Sequence, residues 1–202
     1  MTAPHPKHHI ERIGIDESGK GDYFGPLVIA AVFVDATTQG ELALMQVRDS
    51  KKISDGRILE MAPDIKTICP HSVIAIGPQK YNELYAKIKN LNRLLAWGHA
   101  KALENLLERV SCERAISDQF GNERLILNVL QEKGRKIVLE QRPKAESDMA
   151  VAAAHPSNCL PAHLPAAPAG RLVILAAGKA ADAMMEVAER HYLDHCGLPA
   201  SR

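Results

Sequence analysis

The apolar positions of this chain fall into short blocks whose period changes from one stretch to the next. Ile10 to Ile15 predicts a first strand. Leu27 to Val34 is apolar throughout, the pattern of a strand buried on both faces. Gly25-Pro26 marks the turn that opens it. Glu41 to Val47 reads as a helix. Ser54 and Asp55 are N-cap candidates for a second helix running to about Ile68, with an interruption expected at Pro63. Val73 to Ile76 predicts a strand ended by Gly77-Pro78. From Tyr81 to Val110 the period is helical, with Leu91, Leu95, Ala102, Leu106 and Val110 on one stripe. A break near Asn90 or Asn92 divides that stretch into two helices. Ala115 to Asp118 is a short strand ending in an acid. Glu123 to Lys133 reads as a helix closed by Gly134, Ile137 to Leu139 as a strand, and Met149 to Ala154 as a helix after the loop Arg142 to Asp148. Strands alternating with helices predict the α/β class. The sheet is expected to be mixed, because a tight loop joins its first two strands.

Composition adjusts this picture little. With 202 residues, 46% of them hydrophobic, the chain can build a substantial core, and at 4% aromatic that core must be aliphatic and alanine-rich. The formal net charge of +1 means that any nucleic-acid face must come from local clustering. Cys69, Cys112, Cys159 and Cys196 form no CxxC pair, so a zinc site or dithiol motif is not expected and reduced thiols in a cytoplasmic protein are. Residues 1–9 read as a disordered leader, in which His5, His8 and His9 could bind metal adventitiously. No run has the length of a membrane span, and a monomer is the simplest expectation.

The chemistry concentrates around Asp16-Glu17, followed by Ser18-Gly19-Lys20-Gly21. An isolated acidic pair is ordinarily a solvated turn. Here a glycine-spaced turn with one lysine follows, so oxygen ligands stand beside backbone N–H groups that can approach an anion. Asp118, and Glu146 or Asp148, are further acids at strand ends or helix starts, and such ends converge on one edge of an α/β sheet. Clustered carboxylates repel one another unless cations occupy them. Two hard divalent ions roughly 4 Å apart can clamp the attacking and leaving oxygens of a phosphoryl displacement, and Asp16, coming from the strand interior, would bridge them. Arg48 to Ile53 is a compact basic cluster. Lys51-Lys52 alone would be a solvated turn. His99 and Trp97, within a helical pattern, read as structural, and Asp22 as a turn acid.

The segment IGIDESGKGDYFGPLVIAAVFVD resembles the first catalytic segment of the type 2 ribonucleases H. Its DESGKGDYFGP wording is nearer to ribonuclease HIII than to HII. The resemblance continues through RDSKKIS (48–54), YNELYAKIKNLNRLLAWGHAKALENLL (81–107), ISDQF (116–120) and KAES (144–147), and covers residues 10–154. It implies a ribonuclease H-like fold, a central mixed sheet flanked by helices. It also implies a hydrolase of DNA replication and repair that cuts the RNA strand of RNA/DNA hybrids. Water on one of two ions, Mg²⁺ or Mn²⁺, would attack, giving 5′-phosphate and 3′-hydroxyl ends. Asp16, Glu17 and Asp118 match three of the family's metal-binding acids. The KAES context points to Glu146 as the fourth, with Asp148 as runner-up. Ser18, Gly19, Lys20 and Gly21 would contact the RNA strand at its 2′-hydroxyl, and Lys20, Ser50, Lys51 and Lys52 would hold flanking phosphates. Relatives of the HIII type carry an N-terminal substrate-binding domain that this chain is expected to lack. Incision at single ribonucleotides in DNA, as in HII, and a hybrid-binding module without catalysis are the alternatives.

Residues 155–202 depart from the family pattern. His155-Pro156 stops the helix, and Pro156, Pro161, Pro165 and Pro168 make the following stretch a Pro/Ala-rich linker. Leu172 to Ala176 is a strand or buried segment, and Ala180 to Leu193 a helix. Either a reading-frame slip or recombination near residue 155, or a divergent extension, explains the change. Gly178-Lys179-Ala180-Ala181-Asp182 is a return to family sequence, or part of a fragment, RLVILAAGKAADAMM, that resembles the start of glycerate 2-kinases.

Overall fold

The computed structural model describes residues 11–20, 26–122, 124–130 and 136–155. The predictions for 1–9, Gly134 and 156–202, including the linker and its helix, lie outside the described residues. Five strands form one sheet in the order β3-β2-β1-β4-β5. They are β1 (Arg12–Ser18), β2 (Leu27–Val34), β3 (His71–Ile76), β4 (Arg114–Asp118) and β5 (Val138–Arg142). β1 pairs antiparallel with β2, and β2 with β3, whereas β4 runs parallel to both β1 and β5. The sheet is therefore mixed, as the sequence predicts.

Helices cover both faces. On one side α4 (Leu91–Leu107) and α3 (Pro78–Ile88) close a core of large aliphatic residues, among them Ile13, Ile15, Leu27, Ile29, Leu94 and Leu103. The break between them falls where expected. Lys89 takes a left-handed conformation (φ 52°), and the Asn90 side chain accepts from Arg93 N at 3.0 Å to open α4. On the other side α6 (Met149–Ala154) lies against β1 and β2 through Ala150, Ala152, Ala153 and Ala154, backed by α1 (Ala36–Leu44) and α2 (Asp55–Ile68).

Several boundaries move for identifiable reasons. β1 extends three residues past Ile15, because β2 offers Ala30, Ile29 and Val28 as partners for Asp16, Glu17 and Ser18. Ser18 is thus a buried strand residue and not part of the loop. α1 starts at Ala36 rather than Glu41, on a capping box in which Asp35 and Thr38 satisfy each other's backbone N–H. Pro63 does not interrupt α2. It is exposed on the outer side while Ile58, Met61, Ala62 and Ile65 are buried, so tertiary packing holds the helix through the lost hydrogen bond. The helix expected over 123–133 is described only as α5, Arg124–Leu127. β5 runs on through Glu140, Gln141 and Arg142, polar residues that an edge strand tolerates.

Candidate functional site

β1 carries two adjacent acids just before its last residue, and strand alternation sends them to opposite faces of the sheet. Ile13 and Ile15 point into the α4 core. Gly14 backs onto α6, where a β-carbon would stand 2.1 Å from the Ala150 carbonyl carbon. Glu17 follows Ile15 to the α4 side, and Asp16 follows Gly14 to the α6 side. β4 repeats the arrangement. Ile15 is level with Ser117, so Asp16 and Asp118 stand next along their parallel strands on the same side. The Ala145 N–H donates to Asp118 Oδ1 at 3.4 Å. That contact ties the end of β4 to the 3₁₀ turn Ala145–Ser147, which carries Glu146.

Asp16, Asp118 and Glu146 are electrostatically coupled. Loss of hydration first, then the charge of Glu17, and further those of Asp118 and Glu146, push the Asp16 carboxyl well above the ordinary carboxylate range. The hydrogen bond its Oδ1 accepts from the Glu17 N–H at 2.8 Å does not offset them. Glu17 moves the other way. Its burial would raise it, but the hydrogen bond and charge of His99, with the Lys20 ammonium, hold it below its usual value. The donor set is all carboxylate oxygen and short of positive charge, which fits hard divalent cations. As they stand, no three His, Cys, Asp or Glu side chains among the described residues are gathered tightly enough to grip an ion. Two of the acids hold lysines instead: Lys20 Nζ lies 3.6 Å from Glu17 Oε1, and Lys51 Nζ 3.6 Å from Glu146 Oε1.

The basic cluster of 48–53 therefore sits beside the acids. Ser50–Lys52 forms a 3₁₀ turn opened by Asp49, whose Oδ1 accepts from the Lys51 N–H at 3.1 Å. Lys52 leans on Asp49 at 3.5 Å, and both lysines are largely exposed. Gly19 has φ +81°, and a β-carbon there would stand 2.3 Å from the Pro26 carbonyl oxygen, so only glycine lets the chain leave β1 in this direction. Gly21 lies outside the described residues.

Asp148 is otherwise engaged. Arg12 Nε donates to both its oxygens at 2.9 Å, Arg142 stands 3.8 Å away, and its Oδ1 accepts from the Ala150 N–H to cap α6. Asp148 thus anchors α6, and Glu146 is the acid directed to the Asp16 side.

Two features were not foreseen. Beyond Asp118 lies a cleft of about 610 Å³ lined by Gln119, Gly121, Asn122 and Gln141. The Gln141 side-chain amide is buried without a hydrogen-bond partner. The second is His99. It is fully buried on α4, with Nε2 3.0 Å from Glu17 Oε2 and Nδ1 3.1 Å from Ser117 Oγ. The signal available in the sequence was helix register: His99 follows Leu95 by four residues on the buried stripe, where an imidazole requires a polar partner. Trp97 is partly buried against the core, as expected.

Comparison with known proteins now bears on the site. Residues 13–155 match the family model described as Ribonuclease HII. The chain belongs to the ribonuclease HII family. A curated relative, Ribonuclease HIII of Protochlamydia amoebophila, is 48% identical over 153 residues, covering 74% of this chain and 51% of the relative. Ribonuclease HIII of Chlamydia pneumoniae is 49% identical over 146 residues, covering 71% and 49%. The chain thus spans about half the length of the curated relatives it matches. Among solved structures, Bst-RNase HIII in complex with Mn²⁺ has a TM-score of 0.65 at 33% identity, covering 74% of this chain and 50% of that one. RNase HII in the PCNA:RNase HII complex from Archaeoglobus fulgidus has a TM-score of 0.59 at 33% identity, covering 71% and 68%. The family is divalent-metal dependent. The ribonuclease HII match encloses Asp16, Glu17, His99, Asp118 and Glu146, and its last residue is His155.

Proposed function

We propose that this ribonuclease HII-family chain is a divalent-metal-dependent endonuclease cutting the RNA strand of RNA/DNA hybrids, with residues 10–154 as its catalytic unit. The observation that carries the reading is the convergence of Asp16, Asp118 and Glu146 at the ends of β1 and β4, where crowding pushes the Asp16 carboxyl up. In this reading Asp16, Glu17, Asp118 and Glu146 would hold the Mg²⁺ or Mn²⁺ ions. When bound, such ions supply Lewis acidity and an activated water. Asp148 is left out because its oxygens serve Arg12 and the α6 cap.

The remaining groups handle the nucleic acid. Ser18, Gly19, Lys20 and Gly21 would contact the RNA strand at its 2′-hydroxyl, and at Gly19 the positive φ leaves no room for a side chain. Lys20, Ser50, Lys51 and Lys52 receive flanking phosphates. The ion pairs that now occupy Lys20 and Lys51 involve exposed ammonium groups and are weak, so a phosphate can displace them. Cytoplasmic placement and a monomeric state go with this reading. Among the described residues no helix is long and apolar enough to cross a membrane, and Cys69 is a buried free thiol, pushed up to about 12 by burial and by the Glu41 and Asp35 charges.

Cleavage of a continuous hybrid, with and without Mg²⁺ or Mn²⁺, tests the reading. Asp118→Asn should cut more than about a hundredfold slower, since even an ångström of misplacement can cost that much. A variant as fast as the parent would overturn the site assignment. A duplex with one ribonucleotide belongs in the same panel: preferential cutting there would assign the HII-type activity. Binding of hybrid without cleavage in either metal would make the chain a binding module.

A further inference from the structure

Glu17 and His99 meet on the α4 side of the sheet, away from the face that carries Asp16, Asp118 and Glu146. An ionised carboxylate only accepts hydrogen bonds, so the 3.0 Å contact requires His99 Nε2–H to donate to Glu17 Oε2. The opposite ring nitrogen is held by Ser117 Oγ at 3.1 Å, and that hydroxyl also lies 3.0 Å from the Asp118 carbonyl oxygen. His99 and Ser117 are both fully buried. The Phe120 ring packs on the imidazole with centroids 4.7 Å apart. The imidazole is therefore clamped at both nitrogens and on one face. It links the acid ending β1 to the residue just before the acid ending β4.

We propose that His99 is a positioning residue: its Nε2–H fixes which way the Glu17 carboxylate presents its second oxygen, and Ser117 fixes the ring. The proposal rests on Glu17 being a metal ligand, as set out above. The physical case is the general behaviour of ligating carboxylates, whose orientation is set by the hydrogen bonds they accept from groups that never touch the ion. Lys20 is the other partner of Glu17, at 3.6 Å from Oε1, but it is partly exposed and can leave for a phosphate. His99 cannot leave, because it has no solvent to enter. A buried histidine serving packing alone would need any two partners. This one spends its Nε2–H on a carboxylate at the candidate centre.

Two amide substitutions separate positioning from packing. In His99→Gln the amide nitrogen reaches the place of Nε2 and can still donate to Glu17. In His99→Asn it reaches only the place of Nδ1 and Ser117. Mn²⁺ binding to the full chain without nucleic acid, followed by electron paramagnetic resonance, is the readout, with melting temperatures of the metal-free proteins alongside. His99→Asn should bind Mn²⁺ about 10- to 100-fold more weakly than the parent, and His99→Gln within about threefold of it, the scale seen for partners of metal ligands. Equal affinities in both variants, or losses that track the melting temperature alone, would overturn the proposal. Glu17→Gln is the control for the reading beneath it. Unchanged Mn²⁺ binding there would remove Glu17 from the ligand set and take both ideas with it, whereas weakened binding with indifferent His99 variants would sink only the positioning role. If both amide variants fail to fold, the parent still decides: the solvent-protected Nε2–H resonance of the buried imidazole must shift on adding Mg²⁺, and a resonance that stays put rejects the proposal.

Discussion

The two faces of the sheet are built on different scales. Under α4 the contacts are between large side chains, Ile13, Ile15, Leu27 and Ile29 against Leu94, Leu95 and Leu103. Gly98 packs directly on Ile29, where a β-carbon would stand 2.6 Å from Cδ1, and the neighbouring His99 sets its imidazole between α4 and Glu17. Under α6 the contacts are between small residues. Gly14 lets the backbone of α6 approach β1, and alanines fill most of the remaining space. On that face Ile116 of β4 meets Ala145 and Val151, so the turn that carries Glu146 is seated directly on β4. One face supplies burial, at about 25 cal/mol per Å² of apolar surface, and the other supplies register. A centre made from both faces, as proposed, would need Glu17 held on the α4 side as firmly as the tight α6 side holds its acids, and His99 is the residue in contact with Glu17 there.

Substitution on the tight face should do the most damage. The β-carbon of Gly14→Ala would meet the Ala150 carbonyl carbon at 2.1 Å, and backbone cannot turn aside as a rotamer can. A loss of about 3 kcal/mol, the upper end for overpacking, is expected by urea unfolding. Because α6 and the Glu146 turn would shift with it, hybrid cleavage should also fall by about a hundredfold. Wild-type activity in Gly14→Ala would show that register on this face is not what places the acids.

The α4 face should separate the two properties. Leu103→Ala removes a fully buried side chain from the α4 core and should cost about 2 kcal/mol or somewhat more of stability. Cleavage by the fraction still folded should stay within a few-fold of the parent. A collapse of turnover at full folding would mean that α4 packing, and not the Glu17–His99 contact alone, orients the centre.

The mildest effect has an unusual sign. Asp16 is held above its ordinary value of 3.8, so the folded chain binds that proton more tightly than the unfolded chain. Stability is therefore lost as pH rises from 3.8 through the raised folded value, and it stays lost at neutral pH. Asp16→Asn removes this penalty. In metal-free buffer at pH 8 it should melt higher than the parent by a few degrees, about 2–4 °C for each kcal/mol regained. The gain should vanish well below pH 3.8, where Asp16 is protonated in both states. A lower melting temperature at pH 8 would mean that the clustered acids are not strained against one another.

The placement of the candidate acids was largely legible in the sequence. Asp16, Asp118 and Glu146 stand at strand ends or in a turn between elements, and the β-sheet edge brings such positions together whatever the details of packing. β2 was legible to its boundaries, because eight apolar residues in a row have no amphipathic alternative within a two-sided sheet. β5 was not, since its polar residues are tolerated only because the strand lies at an edge, which is a fact of strand order. Pro63 misled for a related reason: local propensity argued for a break, and burial of Ile58, Met61, Ala62 and Ile65 overrode it.

By itself the amino-acid order determined the element types, the acids at strand ends, and the glycine that must follow Ser18, because periodicity and backbone conformation are local properties. Only the tertiary structure decided that Asp148 answers Arg12, a residue 136 positions away, while Glu146 stands close enough to Asp16 to raise its carboxyl. It alone decided that adjacent Asp16 and Glu17 take opposite faces with different neighbours, one pushed up among carboxylates and one drawn down by a buried histidine. Partners of charged groups are set by proximity across the fold, and proximity between distant residues is what a linear pattern does not contain.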